Sequence, residues 1–437
     1  MPIIQLNGAR VKEATRMKII YLHQYFNTPQ MVGGTRSYEM ARRMVHAGHD
    51  VHMVTSLRET VSSLDRQKTW FETEEAGISV HWLPVRYANA MSYPRRIYAF
   101  FQFAIAARKK VTALSGDIIF ATSTPLTISI PAVFASRRCK IPLLFEVRDL
   151  WPELPIAMGA LKNPILKILA KYLENWSYKN SAAIVALSST MKTGIIKTGY
   201  PKKRVAVIPN ISNTLTFKYN THLENKFRAE RKWLKDFPLL TYAGTFGKIN
   251  NVDYLLKLAK ELLKQNSNVK ILLVGDGSER ETLIHKASAT GVLGVNLFIE
   301  KPLKKTEIPA LLSASTAAAV LFKDIPEMQA NSANKFFDAL ASGTPVILNF
   351  GGWMHELVVE RNCGLALWRM PIPDAAIEIH TCLNNFNWKD SASKEALILA
   401  KTYFEPDLLA SKLLRVIDST VMDETDKCEA IAPDFFK

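Results

Sequence analysis

Two glycine turns in the second half of the chain contain the residue types that bind phosphate. They are Gly244-Thr245-Phe246-Gly247-Lys248 and Gly275-Asp276-Gly277, and each follows an apolar run typical of a buried strand. Glycines let a backbone approach a phosphate closely, and a nearby lysine adds positive charge. The turns therefore indicate a diphosphate site, although each alone also fits an ordinary strand-to-helix connection with a surface lysine.

A helix that begins near residue 331 should present a cation and a carboxylate on one face. Ser332 or Asn331 is a suitable N-cap for this helix. Asn334 and Lys335 precede Asp338 by four and three residues, so the three side chains share one side. This combination suits a phosphate together with a ribose diol.

Two segments in the first half carry polar residues after apolar strands. Gly33-Gly34 leads into a helix with Arg36, and a helix start favours anions. The segment Arg148-Asp149-Leu150-Trp151-Pro152-Glu153 brings charges to the end of a strand, where they are costly unless paired or functional. The alternatives are an ordinary turn and a structural ion cluster. No motif indicates a metal site.

The elements that must position these residues alternate between strands and helices in two successive units. The alternation predicts an α/β fold with two doubly wound, Rossmann-like parallel-sheet domains that face each other across a cleft. We predict an extension over residues 1–16, with Met1 or Met17 as the natural start. The predicted divisions that follow are a first domain over 17–212, a linker over 213–235, a second domain over 236–405, and a C-terminal helix and tail over 406–437 that could cross back to the first domain.

The net charge of +16 lies entirely in the first half of the chain. Lys and Arg outnumber Asp and Glu by 29 to 13 over residues 1–210, whereas the two groups balance at 27 each over 211–437. A field of one sign on one domain indicates an anionic membrane, a phosphorylated ligand or a nucleic acid as partner. The four cysteines lack paired spacing, which argues against a disulfide framework or zinc site.

Several motifs together resemble family 4 glycosyltransferases, and in particular the bacterial surface-polysaccharide branch that includes N-acetyl-L-fucosamine transferases. The resemblance runs from about Met17 to about Ile417. It is carried by His23–Phe26 with the following glycine pair, Glu146–Glu153, Val207–Asn210, Val274–Gly277 and Asn334–Ile347.

This resemblance implies a retaining enzyme of GT-B fold that needs no metal or cofactor. It implies catalytic roles for Arg148, Asp149, Lys248 and Lys335. It implies that the second domain binds the nucleotide-sugar through Gly244, Thr245, Gly275, Asp276, Gly277, Ser332, Asn334 and Asp338. It implies that the first domain binds the acceptor through Gly33, Gly34, Arg36, Trp151 and Glu153.

Three positions depart from the family pattern. Ala330 stands where the first acid of the Glu-x7-Glu motif is expected, with Asp338 as the second acid. Thr245 replaces a phosphate-binding arginine, and Ile211 replaces a glycine. The branch resembled implies a UDP donor with an N-acetylated deoxysugar or hexosamine.

Two segments mix aromatic or apolar residues with basic ones, as helices in a membrane interface do. They are Tyr93–Lys110 and Leu161–Lys179, and core helices with a basic outer face are the alternative. With the positive first half, they predict a cytoplasmic enzyme on the inner face of the cytoplasmic membrane. The acceptor would be a lipid-diphosphate-linked saccharide of O-antigen or capsule synthesis.

Three other functions fit parts of the sequence. A nucleotide-sugar epimerase has the same two-domain architecture but needs no acceptor. A non-catalytic sugar-nucleotide-binding protein would need only the second domain's site. A nucleic-acid-binding protein would explain the positive charge, but the chain has no basic-aromatic RNA motif or recognition helix, so we expect no nucleic-acid partner.

Overall fold

The computed structural model describes residues 16–57, 69–85, 91, 93–159 and 161–434. The predicted extension over 1–16 lies outside these residues, apart from Arg16. Within the described part, the chain forms two lobes, each built on its own sheet.

The first lobe contains an eight-stranded sheet in the order β3-β4-β2-β1-β5-β6-β7-β8. Its strands are β1 (Lys18–Leu22), β2 (Asp50–Leu57), β3 (Phe71–Glu75), β4 (Ile78–Pro84), β5 (Ile118–Thr122), β6 (Leu143–Val147), β7 (Ala183–Ala186) and β8 (Val205–Val207). All neighbouring pairs are parallel except β3 and β4. The central strands are apolar on both faces because helices cover both sides of the sheet.

Six helices connect the strands of this lobe. They are α1 (Arg36–His46), α2 (Tyr93–Leu114), α3 (Ser129–Cys139), α4 (Glu153–Ala157), α5 (Pro164–Lys179) and α6 (Ser189–Lys197). Helices α2, α3 and α5 pack on the same side of the sheet, where they bury residues such as Phe103, Val133 and Tyr178.

The second lobe contains a six-stranded, all-parallel sheet in the order β11-β10-β9-β12-β13-β14. Its strands are β9 (Leu239–Ala243), β10 (Lys270–Val274), β11 (Leu297–Glu300), β12 (Ala317–Val320), β13 (Val346–Leu348) and β14 (Gly364–Ala366). Its helices are α7 (Thr221–Ala229), α8 (Asp253–Lys264), α9 (Arg280–Ala289), α10 (Ile308–Ala314), α11 (Asn334–Ser342), α12 (Trp353–Arg361), α13 (Ile372–Leu383) and α14 (Phe386–Tyr403). The predicted pair of doubly wound parallel sheets is thus confirmed.

The end of the chain returns to the first lobe. Helix α15 (Pro406–Val421) packs against α1, and α16 (Cys428–Ile431) packs against β8. Leu413 and Cys428 are fully buried in the first lobe's core. The backbone N–H of Val207 donates to the carbonyl of Ala432 at 3.0 Å. The part of the predicted helix-and-tail segment that includes Cys428 and Ala432 therefore packs into the first lobe.

The predicted linker needs correction. Residues 221–229 of the 213–235 segment form α7, which packs against α10 and buries Phe227. Asn220 caps this helix through its side chain, which accepts from the N–H of Leu223. The segment therefore belongs structurally to the second lobe.

Helix length and polarity bear on membrane insertion. Among the residues that the structure describes, no helix combines the length and apolar character that crossing a bilayer requires.

Candidate active site

A cleft of about 1160 Å³ separates the carboxyl ends of the two sheets. Both lobes contribute strand-end loops to its walls, as expected for facing parallel sheets. The predicted site residues that line the cleft are Gly33, Gly34, Arg148, Asp149, Gly244, Thr245, Lys248, Gly275, Asp276, Ser332, Asn334, Lys335 and Asp338. Most of the site residues predicted in the two lobes therefore line a single cleft.

Lys335 lies at the start of α11, on the second-lobe wall. Its Nζ is 3.0 Å from the hydroxyl of Tyr242, and it lies 4.1 Å from the centroid of that ring. Burial lowers the pKa of Lys335 from 10.5 to about 7, because a charged ammonium is disfavoured away from water. No carboxylate in the described part of the chain forms an ion pair with Lys335, so this cation is available to an anionic ligand.

The two glycine turns pack directly against each other beside Lys335. A Cβ on Gly275 would lie 1.9 Å from the carbonyl oxygen of Gly244, and one on Gly244 would lie 2.7 Å from the Nζ of Lys335. Gly277 does not line the cleft, because a Cβ there would meet the backbone of Phe246. Gly277 was predicted to contact the donor, but in the structure it allows the turn to pack against Phe246. Lys248 follows on the exposed side of the same wall.

Asp338 forms an ion pair with Lys305, a residue that the sequence analysis did not identify. The Oδ2 of Asp338 is 2.6 Å from the Nζ of Lys305, and both side chains are largely buried. Burial raises the pKa of Asp338, whereas Lys305 acts in the opposite direction. The Lys305 Nζ also lies 4.8 Å from the ring of Phe217. The carboxylate therefore reaches the cleft together with a cation.

The predicted N-cap at Ser332 is wrong. Helix α11 begins at Asn334 with Ala333 in the cap position, and no side chain caps it. The carbonyl of Ser332 instead accepts from Nδ2 of Asn210 at 2.6 Å, which ties this loop to the first lobe.

Ala330, where the family pattern has an acid, is also part of the contact between lobes. Its carbonyl accepts from the hydroxyl of Ser188 at 2.8 Å, and its side chain packs against the first lobe's core. Nearby, a Cβ on Gly34 would lie 2.5 Å from Nδ2 of Asn334. A larger residue at this position would force the Asn334 side chain, which lies on the opposite wall, to move.

The first-lobe wall is formed by the loops after β1, β5 and β6. The guanidinium of Arg148 lies 3.3 Å from Nε2 of His23. Asp149 accepts from the hydroxyl of Thr124 at 2.7 Å, and burial raises its pKa. His23, Thr124 and also Arg96 line the cleft but were not predicted as site residues. For His23, the signal was its position at the end of the first strand.

Three predicted acceptor contacts lie elsewhere. The Arg36 side chain is fully buried, and it donates to Glu146 Oε1 at 2.8 Å and to the carbonyl of Ile208 at 3.0 Å. The prediction for Arg36 is wrong because its side chain is buried in the ion pair with Glu146 and does not line the cleft. Trp151 packs against the first lobe's core, and Glu153 pairs with Lys171, so neither lines the cleft.

The described residues contain no group of three His, Cys, Asp or Glu side chains that could hold a metal ion. Metal independence itself stays a prediction.

Two family models match the two lobes in succession. The description "Glycosyl transferase 4-like domain" applies to residues 33–211, and "Glycosyl transferases group 1" applies to residues 224–383. Two doubly wound lobes that face each other across a cleft form the GT-B fold, which the structural relatives share. Since both models describe glycosyltransferases and together span most of the chain, the chain belongs to the GT-B glycosyltransferases of the family 4-like type.

Individual relatives are distant. Alpha-D-kanosaminyltransferase from Streptomyces kanamyceticus is 19% identical over 229 residues, which cover 52% of this chain and 58% of that protein. The match thus spans less than two thirds of the relative's length. HepE from Anabaena, solved in complex with UDP-glucose, aligns with a TM-score of 0.68 at 17% identity, over 92% of this chain and 100% of HepE.

Sucrose-phosphate synthase from Thermosynechococcus elongatus aligns with a TM-score of 0.73 at 15% identity, over 92% of this chain and 99% of that one. At such low identities these two structures establish the shared fold.

Proposed function

We propose that this chain transfers a sugar from a nucleoside diphosphate sugar to a lipid-linked saccharide at a membrane surface, with retention of configuration. The observation that carries the proposal is the convergence of Lys248, Lys335 and the Gly244 and Gly275 turns on one wall of the cleft, opposite a basic first lobe. HepE, which was solved with UDP-glucose, supports a nucleotide-sugar donor and a uridine base. The resembled branch adds an N-acetylated deoxysugar or hexosamine as the donor sugar.

The second lobe supplies the groups that a leaving diphosphate needs. Lys335 is held next to the glycine turns by Tyr242, and Lys248 adds a second positive charge. Groups positioned in advance at a developing charge are usually the largest contribution to catalysis. Asp338 and Lys305 offer an acceptor and a donor for the ribose hydroxyls. These protein cations make the proposed transfer independent of metal.

We propose that retention arises without a covalent intermediate, by attack of the acceptor oxygen on the anomeric carbon from the face that the diphosphate leaves. The bond from the anomeric carbon to the diphosphate oxygen breaks, the bond to the acceptor oxygen forms, and the acceptor proton passes to the departing diphosphate. Arg148 and Asp149 lie on the wall from which an acceptor would approach. Comparing the anomeric configuration of donor and product by NMR tests this part, and inversion would contradict it.

The outer side of the first lobe has the composition of a membrane-binding surface. On α2, Tyr98, Phe101 and Ile105 are exposed, as are Phe134 on α3 and much of α5. The exposed apolar residues of α5 are Ile165, Leu166, Ile168, Leu169 and Tyr172. These three helices adjoin one another and carry flanking basic residues. We infer that this surface binds the anionic inner face of the cytoplasmic membrane, with each basic residue near the surface contributing about 1 kcal/mol.

Thermal denaturation with UDP, GDP, CDP and ADP tests the donor proposal. A diphosphate at about 100 times its dissociation constant should stabilise the protein by about 2.7 kcal/mol. Lys335→Met should lose this stabilisation, while Lys260→Met, an exposed residue of α8 outside the cleft, should keep it. If none of the four nucleotides stabilises the protein, the proposal fails. If the donor alone yields an epimerised nucleotide-sugar, the epimerase becomes the better explanation.

Vesicle sedimentation tests the membrane proposal separately. Binding should require anionic lipid and decrease at high salt. Ile105→Ser on the proposed surface should weaken binding, whereas Ile377→Ser, exposed on α13 of the other lobe, should not. Equal effects of the two substitutions, or no binding at low salt, would refute this surface.

A further inference from the structure

The first-lobe wall of the cleft contains two arginines that form no ion pair. Arg96 lies in the first turn of α2, and Arg148 follows β6. Neither guanidinium forms a salt bridge within the described residues. The Nε of Arg96 is buried and has no hydrogen-bond partner in that part of the chain. A buried donor without a partner is costly, so its presence calls for an explanation.

The nearby carboxylates do not neutralise Arg96. Glu146 is fully buried and paired with Arg36. Asp149 accepts from the hydroxyl of Thr124, and within the described residues it forms no hydrogen bond or ion pair with Arg96. On the opposite wall, Lys305 has its own carboxylate in Asp338. On the first-lobe wall, Asp149 partly offsets the charge of Arg148 without forming an ion pair, whereas Arg96 has no paired carboxylate among the described residues.

We propose that Arg96 and Arg148 together bind a phosphate group of the acceptor. An arginine guanidinium presents paired N–H donors whose spacing matches two phosphate oxygens. The donor's diphosphate has its own cations, Lys248 and Lys335, on the opposite wall. A phosphate bound by the two arginines would therefore be separate from the donor's diphosphate, and we assign it to the acceptor. This inference rests on the proposed transferase function and names the chemistry of its acceptor.

The proposed membrane surface on the same helix favours a phosphate that carries a lipid. Residues on α2 beyond Arg96 line an apolar groove of about 700 Å³, which includes Tyr98, Phe101 and Ile105 together with Trp70. Phe101 lies about 7–8 Å along the axis from Arg96, and at about 100° per residue the groove residues project from the side of α2 roughly opposite Arg96. A hydrocarbon chain attached to a phosphate at Arg96 would therefore have to pass round the start of α2 to reach these apolar side chains. A soluble sugar phosphate could bind the arginines in the same way, but it has no hydrocarbon chain to contact the groove.

Binding of two probes distinguishes a lipid-linked phosphate from a soluble sugar phosphate. The first probe is a neutral phosphatidylcholine vesicle with and without a polyprenyl diphosphate, and the second is glucose 6-phosphate in solution. Arg96→Gln should weaken binding of the phosphate-bearing vesicle by about tenfold or more, as expected for hydrogen bonds to a charged group. The matched control is Arg95→Gln, because Arg95 is the exposed neighbour on the same turn and does not line the cleft. The Arg95→Gln protein should bind the phosphate-bearing vesicle nearly as well as the natural protein does.

The same measurements on Arg96→Lys and Lys335→Met complete the test. The lysine variant keeps the charge without the paired donors, so it should recover only part of the affinity. If the Lys335→Met protein still binds the phosphate-bearing vesicle, then the phosphate lies away from the donor site. Binding of glucose 6-phosphate that depends on Arg96, without vesicle binding, would uphold the phosphate site and overturn the lipid-linked source.

Two results would overturn the proposal itself. One is unchanged binding of both probes in a folded Arg96→Gln protein. The other is an equal loss in the Arg95 and Arg96 variants, since this would indicate general attraction to a basic surface. The nucleotide experiments on Lys335 are independent of these results, so failure of the donor proposal would be recognised separately.

Discussion

Lys335 should take up a proton when a nucleoside diphosphate binds. In the free protein, burial lowers its pKa to about 7, so above that pH the side chain is mostly neutral. A diphosphate next to the Nζ favours the charged form and raises the pKa of Lys335. Binding is then coupled to protonation of this one side chain.

The size of the effect follows from the pKa. With a free-state pKa of about 7, binding should take up about 0.5 proton at pH 7 and about 0.9 at pH 8, if the bound-state pKa is well above 9. The apparent affinity should then fall about fivefold between pH 7 and 8, and nearly tenfold between pH 8 and 9. The terminal phosphate contributes little there, because its second pKa is about 6.

Titration calorimetry at pH 8 in two buffers of different ionisation enthalpy measures the proton uptake directly. Lys335→Met should abolish it, and Lys260→Met on α8 should preserve it. Strong diphosphate binding with no proton uptake at pH 8 would refute the reasoning, as would the same uptake in the Lys335→Met protein.

The same substitution has a predictable effect on stability. The pKa of Lys335 is about 7 when folded and 10.5 ordinarily, so the unfolded chain binds more protons between these values. Stability therefore rises with pH across this window, and the penalty is fully present below pH 7. Lys335→Met removes the penalty and should raise the free energy of unfolding at pH 7, by at most about 5 kcal/mol. A pH-independent difference between the two proteins would contradict this.

Three further predictions concern other contacts of the cleft and core. Glu146→Gln breaks a buried ion pair and should lower the free energy of unfolding by about 3–5 kcal/mol, measured by chemical denaturation. Gly34→Ala places a Cβ against Asn334, so it should reduce turnover while leaving the melting temperature nearly unchanged; unaltered turnover would show that the lobes need not approach this closely. A double-mutant cycle of Asp338→Asn and Lys305→Met, scored by nucleotide affinity, should give a coupling of about 1–3 kcal/mol, whereas additive effects would show that the pair does not act as a unit.

The sequence predicted those elements whose apolar runs are buried on both faces. Apolar runs over residues 117–121 and 270–274 predict two buried strands, and β5 and β10 lie there. Strand β3 was not predicted because Phe71–Glu75 is mostly acidic and polar, and its position depends on pairing with β4. Strand β14 is only three residues long, which is too short for a periodic signal.

Site residues could be predicted where glycines and charged residues follow strands. They could not be predicted where contacts between distant parts of the chain determine the direction of a side chain. A position at a helix start does not reveal which way a side chain points, and Arg36 turned inward to Glu146. Lys305 has no local signal, because its partner Asp338 lies 33 residues away. Arg96 belongs to a helix whose composition indicated a membrane surface, and only the fold places it in the cleft.

The return of the chain end to the first lobe has a consequence during synthesis. Helices α15 and α16 supply buried residues such as Leu409, Val416 and Cys428 to a core whose other members lie before residue 212. A ribosome must therefore translate the whole second lobe before the first can close its hydrophobic interior. We expect the nascent first lobe to stay exposed to chaperones until that point, and the second lobe to complete its folding earlier.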